Sequence, residues 1–325
     1  MQPALFEGKY ELDSLCAVIK LSHKTWNALK GTDKDIFHSN ETVELWVAAM
    51  RKILVTMSNQ SLSTSEQNGV YPYQFRRNDW PSEYDVYPNR PVAWTGMVRS
   101  AFRPSDDHTH FDFLAPSNAM AHVELQHMID IASALVEDGR IDNATAQQII
   151  TTASNIRVDI EFGMQQAALR DKAAAAGGIY SYEVDGFGGE NNMDDANVPS
   201  LLSMPFIGYN SSHYNATRSW VLSPKNPWFF QGSVGEGVGS PHTGPGYIWP
   251  MSVTIRAMTS TNDDEIEAQL ATLLKSANNT GFMHESFNKD NVADFTRSWF
   301  AWANTLFGEL ILHLAATRPH LIFGE

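Results

Sequence analysis

The sequence predicts an all-α protein whose helices are paired around a toroid. Three observations support this: apolar residues recur at helical spacing along most of the 325 residues, strand patterns are weak and local, and short connections alternate with long ones. The best strand pattern is the alternating stretch at residues 178–186, which predicts a minor β-hairpin. No linker interrupts the helical pattern, so residues 1–325 are expected to form a single domain.

Nine segments carry the helical pattern, and two of them follow a residue suited to capping a helix N-terminus. Asn40 and Asp142 are the predicted caps, because their side chains can accept hydrogen bonds from free backbone N–H groups. The predicted helices are one that ends near Gly31, then 41–57, 118–136, one that starts after Asp142, 155–173, 199–204, 248–258, 263–276 and 296–316.

Long connections rich in aromatic residues, glycine, proline and charge separate these helices. They span residues 72–107, 180–199, 224–249 and 282–294. Connections of this length in a compact domain usually carry function, so we expect them to gather at one end of the toroid and to form the site.

The composition excludes several classes of partner. Lys and Arg number 23 against 37 Asp and Glu, a formal net charge of −14, which disfavours binding to nucleic acid or anionic membranes. Cys16 is the single cysteine, so neither an intramolecular disulfide nor a multi-cysteine metal site can form. No apolar run reaches the length of a membrane span, so no membrane insertion is expected.

The sequence leaves the compartment open. Residues 1–12 lack the pattern of a signal peptide. Asn-x-Ser/Thr sequons favour glycosylation in a secretory compartment, but chance occurrence in a chain rich in Asn, Ser and Thr explains them equally well. The six sequons start at Asn40, Asn59, Asn143, Asn210, Asn215 and Asn278.

Two motifs contain the carboxylates best suited to catalysis. Asp106 and Asp107 follow an Arg-Pro-Ser run and are either a helix cap or part of a cleft. Glu285, between His284 and a serine, is either a surface residue or a catalytic base. Read locally, each motif is more often structural than catalytic.

A third motif is a dense set of carboxylates, Glu183, Asp185, Asp194 and Asp195. This motif has three interpretations: a clamp for sugar hydroxyls, a calcium loop, or helix capping before Val198. The Asp-x-Asp-x-Asp alternation of a calcium hand is absent, which disfavours the metal.

Two further segments combine glycine or aromatic residues with polar groups. His242 lies among glycines, where a ligand can approach closely, and no second histidine stands at metal-ligand spacing. Trp299 and Trp302 share a face of the predicted 296–316 helix, which fits core packing or sugar stacking, core packing being the commoner case.

Carboxylates and aromatic residues are the candidate catalytic and binding groups of this sequence, because it has no recognisable serine or cysteine nucleophile. The sequence has no Gly-x-Ser-x-Gly elbow, and its lone cysteine has no recognisable nucleophile setting. Cleavage of a glycosidic bond needs one carboxylic acid to protonate the leaving oxygen and a second carboxylate at the anomeric side. The motifs therefore favour a glycoside hydrolase.

Several ordered motifs resemble glycoside hydrolase family 125, and the resemblance runs from about Tyr10 to Leu314. The motifs are Tyr-Glu-Leu-Asp-Ser-Leu-Cys (10–16), Phe-Arg-Pro-Ser-Asp-Asp (102–107), Asp-Asp-Ala-Asn-Val-Pro-Ser-Leu-Leu (194–202), Gly-Tyr-Ile-Trp-Pro-Met (246–251), His-Glu-Ser-Phe (284–287) and Ser-Trp-Phe-Ala-Trp-Ala-Asn (298–304).

The resemblance implies an (α/α)6 toroid and an exo-acting α-1,6-mannosidase that inverts the anomeric centre, with no catalytic metal and no cofactor. The general acid is expected at Asp106 or Asp107, a choice the sequence leaves open, and the general base at Glu285. The expected substrate is a mannose-containing glycan. The residues expected to bind it are Arg103, Glu183, Asp185, Asp194, Asp195, Asn197, His242, Trp249, His284 and Arg297.

One departure from the family concerns the N-terminus. Family members carry a further N-terminal segment with a Trp-Leu-Arg-Asp-Ser motif that lines the sugar site, and this sequence has no such motif. We therefore expect a toroid that is incomplete at its N-terminus, from either a fragment or a shortened relative. Two alternatives follow: an inert carbohydrate-binding relative, and a toroidal glycosidase of another type.

Overall fold

The computed structural model describes residues 9–66, 90–171 and 177–324. Helices account for most of the regular structure, and every strand is short. The helices are Leu12–Leu29 (α1), Asn40–Gln60 (α2), Ala115–Glu137 (α3), Asn143–Gly163 (α4), Tyr214–Val221 (α5), Pro250–Met258 (α6), Asp263–Ser276 (α7), Ala301–Thr317 (α8) and His320–Phe323 (α9). The strands are Phe113–Leu114 (β1), Leu169–Arg170 (β2), Ile179–Tyr180 (β3), Glu183–Val184 (β4), Glu190–Asn191 (β5), Phe229–Gln231 (β6), Glu236–Val238 (β7), Tyr247–Ile248 (β8), Ser286–Asn288 (β9) and Asn291–Thr296 (β10).

The chain divides into two compact units. The first unit comprises the described parts of Met1–Arg103, His108–Leu169 and Glu183–Asn191. The second unit comprises the described parts of Pro104–Asp107, Arg170–Tyr182 and Asn192–Glu325.

The first unit is built on α3, which packs against α1 and α4. On α1, Leu12, Cys16 and Ile19 are fully buried, and their spacing of four and three residues puts them on one helical face. Fully burying an aliphatic side chain contributes about 1.5–3 kcal/mol. This apolar stripe therefore holds α1 against its neighbour.

Local hydrogen bonds set where two helices of the first unit begin. Asp142 caps α4 as predicted, its carboxylate accepting the N–H of Thr145 at 2.8 Å. The cap of α2 is Ser39, so the prediction of Asn40 is wrong by one residue. Helix α3 begins at Ala115, three residues before the predicted start, and Pro116 lies in its first turn, where a missing backbone N–H is tolerated.

Helix α4 is continuous where the sequence predicted two helices. Apolar residues keep helical spacing through the expected break near Asn155, with Ile149, Ala153, Ile156 and Ile160 all buried. The helix ends at Gly163 and is followed by a π-helical turn at Met164–Ala168. The predicted helix 155–173 is therefore wrong in its start, and residues 172–176 lie outside the described ranges.

The second unit combines helices with small antiparallel sheets. Helix α6 packs against α7 and α8. Strand β9 is central in a three-stranded sheet, between β8 and β10, and β6 pairs with β7 in a hairpin.

Two helices predicted in this unit are corrected. Residues 199–204 form turns, because Ser200 and Ser203 exchange side-chain to backbone hydrogen bonds that close a tight loop. The helix predicted at 296–316 begins at Ala301, because Asn291–Thr296 pairs with Ser286–Asn288 as strand β10.

The predicted helical class is confirmed in coarse form, since helices dominate and the sheets are small. The stretch 178–186 is divided between β3 and β4, and β4 forms a hairpin with β5 in the first unit. Strand β4 also pairs with β1, so the sheets are more numerous than the single predicted hairpin. In the described ranges, no helix combines the length and apolar character that a membrane crossing requires.

Candidate active site

A cavity of about 420 Å³ in the second unit brings several predicted site residues together. Asp106, Asn197, His242, Trp249, Glu285 and Arg297, all predicted from the sequence, line it. The remaining lining residues are Ser105, Trp299, Phe300, Ala301 and Trp302.

Glu285 is held by the start of the β9–β10 pair. Its backbone N–H donates to the carbonyl of Thr296 at 3.3 Å, and Ser286 pairs directly with Thr296. The Glu285 residue is only 4% exposed. Its Oε1 atom accepts from Nε of the exposed Arg297 at 3.2 Å, so the sheet and the guanidinium together orient the carboxylate.

Two residues that line the cavity have left-handed backbone conformations. Asp106 has φ +66° and Arg297 has φ +40°. Asp adopts this region fairly readily, whereas Arg does so at a cost of about 1–2 kcal/mol. Backbone strain of this kind concentrates at functional sites, where the surrounding structure keeps it in place.

Asp107 pairs with His242, which approaches from the glycine-rich loop. The two side chains lie 3.0 Å apart, measured from Nδ1 of His242 to Oδ1 of Asp107. The hydrogen bond to Asp107 raises the pKa of His242 above its usual 6.5, outweighing the effect of partial burial. The nearby negative charges of Asp107, Glu285 and Asp195 act in the same direction.

A chain of hydrogen bonds continues from His242 to Asn197. The backbone N–H of His242 donates to Oγ of Ser240 at 3.2 Å, and that hydroxyl donates to Oδ2 of Asp195 at 3.0 Å. The other Asp195 oxygen accepts from both the backbone N–H and the side-chain amide of Asn197, at 3.1 and 3.0 Å. Asp195 therefore orients Asn197 and supports the His242 loop.

The cavity contains buried polar atoms that make no hydrogen bond within the described part of the chain. They are Oδ1 of Asn197 and Oγ of Ser105. The Asn197 residue is only 1% exposed. Buried polar atoms without partners are rare in folded proteins, so these are available to bind the hydroxyls of a ligand.

Aromatic rings form another part of the cavity wall. The buried Trp249 donates from Nε1 to Oγ1 of Thr243 at 2.8 Å. Its ring meets those of His242 and Phe300 nearly edge-on, at centroid distances of 6.2 and 5.9 Å. This packing fixes Trp249 at the buried end of the cavity.

Two predicted substrate-binding residues of the second unit have contacts away from the cavity lining. The Asp194 carboxylate accepts the N–H groups of Leu201 and Leu202 at 2.8 and 3.0 Å, and burial raises the pKa of Asp194 to about 8. The ring of His284 stacks on Phe295 at 3.8 Å and places Nδ1 2.8 Å from the Ser298 carbonyl. These contacts hold loops that carry other site residues, and contact of Asp194 and His284 with substrate stays a prediction.

Three predicted residues belong to the first unit. The buried Arg103 donates from Nε to Oε1 of Glu183 at 2.6 Å, and Oε2 of Glu183 accepts the N–H of His110 at 2.8 Å. Asp185 accepts the N–H groups of Phe187 and Gly189, which closes the turn after β4. The predicted roles of Arg103, Glu183 and Asp185 in binding substrate stay predictions.

Comparison with known proteins identifies the family. The sequence profile of the metal-independent α-mannosidases (GH125) matches residues 1–312. This chain belongs to glycoside hydrolase family 125.

Two relatives of this family-125 chain are similar to it over nearly its whole length. The Meiotically up-regulated gene 157 protein of Schizosaccharomyces pombe is 41% identical over 330 residues, covering 98% of this chain and 62% of that protein. A solved Streptococcus pneumoniae structure is 36% identical, with a TM-score of 0.83, and the match covers 95% of this chain and 70% of that one. That structure is a non-productive complex with α-1,6-mannobiose, from a family of metal-independent α-mannosidases linked to the processing of N-linked glycans. This chain thus spans less than two thirds of the length of the fission-yeast relative.

Within residues 9–66, 90–171 and 177–324, no three His, Cys, Asp or Glu side chains lie close enough to hold one ion. The Glu285 carboxylate pairs with Arg297, and the Asp107 carboxylate pairs with His242.

The structure also places in the cavity aromatic residues that the sequence argument favoured as core. Trp299 and Trp302 are 55% and 53% exposed and line the cavity, so core packing is the wrong interpretation for both. The shared helical face is wrong as well, because Trp299 precedes α8. The sequence signal for this part of the lining is the density of aromatic residues, three of them within residues 299–302.

Proposed function

We propose that this family-125 protein removes terminal α-1,6-linked mannose from glycans by an inverting acid–base mechanism. One observation carries the proposal: a single cavity contains Asp106, Glu285 and the buried, unpartnered Oδ1 of Asn197. The α-1,6 linkage is taken from the mannobiose bound in the similar Streptococcus pneumoniae structure. An (α/α)6 toroid acting as a single catalytic domain is part of the same proposal, supported by the helical content and by the TM-score of 0.83.

Glu285 is proposed as the general base. One of its oxygens accepts from Arg297, and the other is then free to take a proton from the attacking water. The left-handed backbone of Arg297 and the β9–β10 pairing hold the carboxylate in one direction, which a base needs in order to position a water molecule.

Asp106 is proposed as the general acid in preference to Asp107. Asp107 accepts a hydrogen bond from His242, whose raised pKa favours the charged imidazolium, and this pair keeps Asp107 an acceptor rather than a proton donor. Asp106 is exposed and lines the cavity, where it can reach the glycosidic oxygen.

The remaining cavity groups are proposed to bind the terminal sugar. Asn197 offers a buried acceptor and Ser105 a buried hydroxyl, which suits two ring hydroxyls of mannose. The Asp195 carboxylate orients Asn197, so the acceptor is fixed before the substrate arrives.

The proposal is tested by incubating the chain with α-1,6-mannobiose and following the release of mannose by NMR. We expect turnover by the wild-type chain and its loss in Glu285→Gln, which keeps the size of the side chain and removes its basicity. Glu267→Gln is the matched control, because Glu267 is exposed on α7 and is not part of the cavity lining. Binding of mannobiose without any turnover would favour a carbohydrate-binding protein instead.

A further inference from the structure

Another cavity, of about 260 Å³, lies in the first unit. Helix α4, the π-helical turn that follows it and the turn between β4 and β5 contribute to its wall, together with the segment that bears Trp94. None of the described residues that line it also lines the cavity that contains Glu285. The two cavities therefore share no side chain.

Close backbone packing holds the segment that bears Trp94. A β-carbon on Gly163 of α4 would come within 2.6 Å of the Thr95 carbonyl oxygen, so this approach requires glycine. A β-carbon on Gly186, which has φ +81°, would meet the Thr95 side chain at 2.8 Å. The backbone N–H of Ala93 also donates to a carbonyl of the β4–β5 turn at 3.0 Å. The segment is thus fixed against both α4 and that turn.

Two aromatic rings form the apolar part of this cavity. The rings of Trp94 and Phe162 have centroids 5.8 Å apart and planes inclined by 32°. Both residues line the cavity, yet they are 47% and 51% exposed. Single exposed apolar side chains are common, but two large rings in contact within one cavity mark a binding surface.

Polar side chains stand beside the two rings. Gln166, in the π-helical turn Met164–Ala168, and Glu190, at the start of β5, both line the cavity and are exposed. Turns of this kind are rare and often occur at functional sites. An amide can donate and accept hydrogen bonds, and a carboxylate accepts them, so the pair can bind hydroxyl groups.

A single sugar ring is the ligand that best matches these groups. The volume lies just below the range of about 300–1,000 Å³ that is typical of cavities for drug-sized molecules, so a compact ligand fits. The C–H groups on one face of a pyranose can pack on an aromatic ring, while the hydroxyls at its edge bond to amides and carboxylates. Trp94 and Phe162 supply the first kind of contact, and Gln166 and Glu190 the second.

We propose that Trp94 and Phe162 form a stacking platform for a hexose ring, at a carbohydrate-binding site apart from the candidate active site. This site binds without cleaving, because its described lining contains one carboxylate, Glu190, whereas acid–base cleavage of a glycosidic bond needs two. The proposal goes beyond the mannosidase function and does not depend on it, since all the residues that carry it belong to the first unit.

Titration of the full isotope-labelled chain, followed by NMR, tests this site. Each of the nine tryptophans has its own indole N–H signal, and the Trp94 signal is the one missing from Trp94→Phe. The probes are methyl α-mannoside, methyl α-glucoside and N-acetylglucosamine, which contain no bond between sugar rings. We expect at least one of them to shift the Trp94 signal until it saturates, with a Kd in the millimolar range.

Variants of α4 separate ring stacking from a general effect on the fold. Phe162→Ala should weaken the Kd measured at the Trp94 signal by about five- to tenfold. Phe162→Trp keeps an aromatic face and should retain the affinity. Val158→Ala is the matched control, because Val158 is an exposed apolar residue of the same helix and is not part of the cavity lining.

A Trp94 signal that responds to none of the three sugars would overturn the proposal, as would equal weakening by Phe162→Ala and Val158→Ala. Lysine is titrated as a further probe. A shift with lysine but with no sugar would make this a cation site and would also overturn the proposal. Release of mannose from α-1,6-mannobiose by the same preparation decides the hydrolase function separately, so either proposal can fail alone.

Discussion

The imidazole of His242 and the carboxylate of Asp107 form a 3.0 Å pair across loops that are 135 residues apart in the sequence. This pair joins the Arg-Pro-Ser-Asp-Asp motif to the glycine-rich loop and engages Asp107 as a hydrogen-bond acceptor. It also links the stability of the protein to pH, because the pair raises the pKa of His242 above its usual 6.5.

We expect His242 to stabilise the fold most at low pH. Its folded pKa is raised above 6.5 by the hydrogen bond to Asp107, so its contribution is complete below about pH 6.5 and is lost as the pH rises through the folded pKa. Thermal melts of wild-type protein and His242→Gln should differ most near pH 5.5 and converge near about pH 9. A melting-temperature difference that does not change with pH would show that the pair makes no charged contact.

Substrates with different leaving groups should distinguish Asp106 from Asp107. We expect Asp106→Asn to slow hydrolysis of α-1,6-mannobiose by about 10²–10⁴-fold, the usual contribution of a general acid. The same variant should cleave a dinitrophenyl α-mannoside at a rate much closer to wild type, because that leaving group needs no proton. In Asp107→Asn both substrates should slow alike, since the His242 pair is lost. If the selective loss appears in Asp107→Asn instead, the proposed assignment is reversed.

Because the backbone at position 297 is left-handed, we expect the Arg297→Gly protein to be more stable than the Arg297→Ala protein. Both Arg297→Gly and Arg297→Ala lose the contact with Glu285, so the difference between them isolates the backbone. At φ +40°, we expect the glycine variant to be more stable by about 1 kcal/mol in urea unfolding, with both variants low in activity.

Ser298 provides the matched control, because it is adjacent, exposed and not among the residues with positive φ. There alanine should be at least as stable as glycine, since the flexible glycine loses more entropy on folding. The same preference for alanine at both positions would mean that the backbone at 297 relaxes without cost.

Asn304 should be important for both stability and turnover. Its truncation to alanine leaves the N–H of Met283 without its partner and removes one of the two donors to the Met283 carbonyl, which should cost about 1–3 kcal/mol in urea unfolding. We also expect lower turnover, because the loop that bears Glu285 loses its anchor.

Thr305→Ala is the control for Asn304→Ala. The Thr305 hydroxyl bonds only to carbonyls of its own helix, those of Ala301 and Trp302, so its loss should change stability by less than about 0.5 kcal/mol. Equal effects of the two substitutions would contradict an anchoring role for Asn304.

Features that depend on neighbouring residues could be predicted from the sequence. The predicted bounds of α7, Asp263–Ser276, agree with the structure, because Asn262 caps the helix, three acidic residues occupy its first turn and Lys275 lies in its last. Asp142 was likewise predicted as a cap from the residues next to it. Family motifs then selected Glu285 and left Asp106 and Asp107 as alternatives, and the fold brings Asp106 and Glu285 to one cavity.

Features that depend on distant pairing could not be predicted in this way. Strand β10 exists because Thr296 pairs with Ser286, and no pattern within 291–296 distinguishes it from the start of α8. Arg297, with its positive φ, directly follows that strand, and the exposed Trp299 lies between it and α8. The hydrogen bonds that Leu201 and Leu202 donate to Asp194 depend on the turns at residues 199–204, where the sequence predicted a helix.

The most direct test of the account is the anomeric form of the first mannose released from α-1,6-mannobiose, observed by time-resolved NMR before mutarotation. An inverting acid–base pair at Asp106 and Glu285 predicts that β-mannose accumulates first, and that Glu285→Gln releases none under the same conditions. Initial release of α-mannose, or undiminished release by Glu285→Gln, would contradict it.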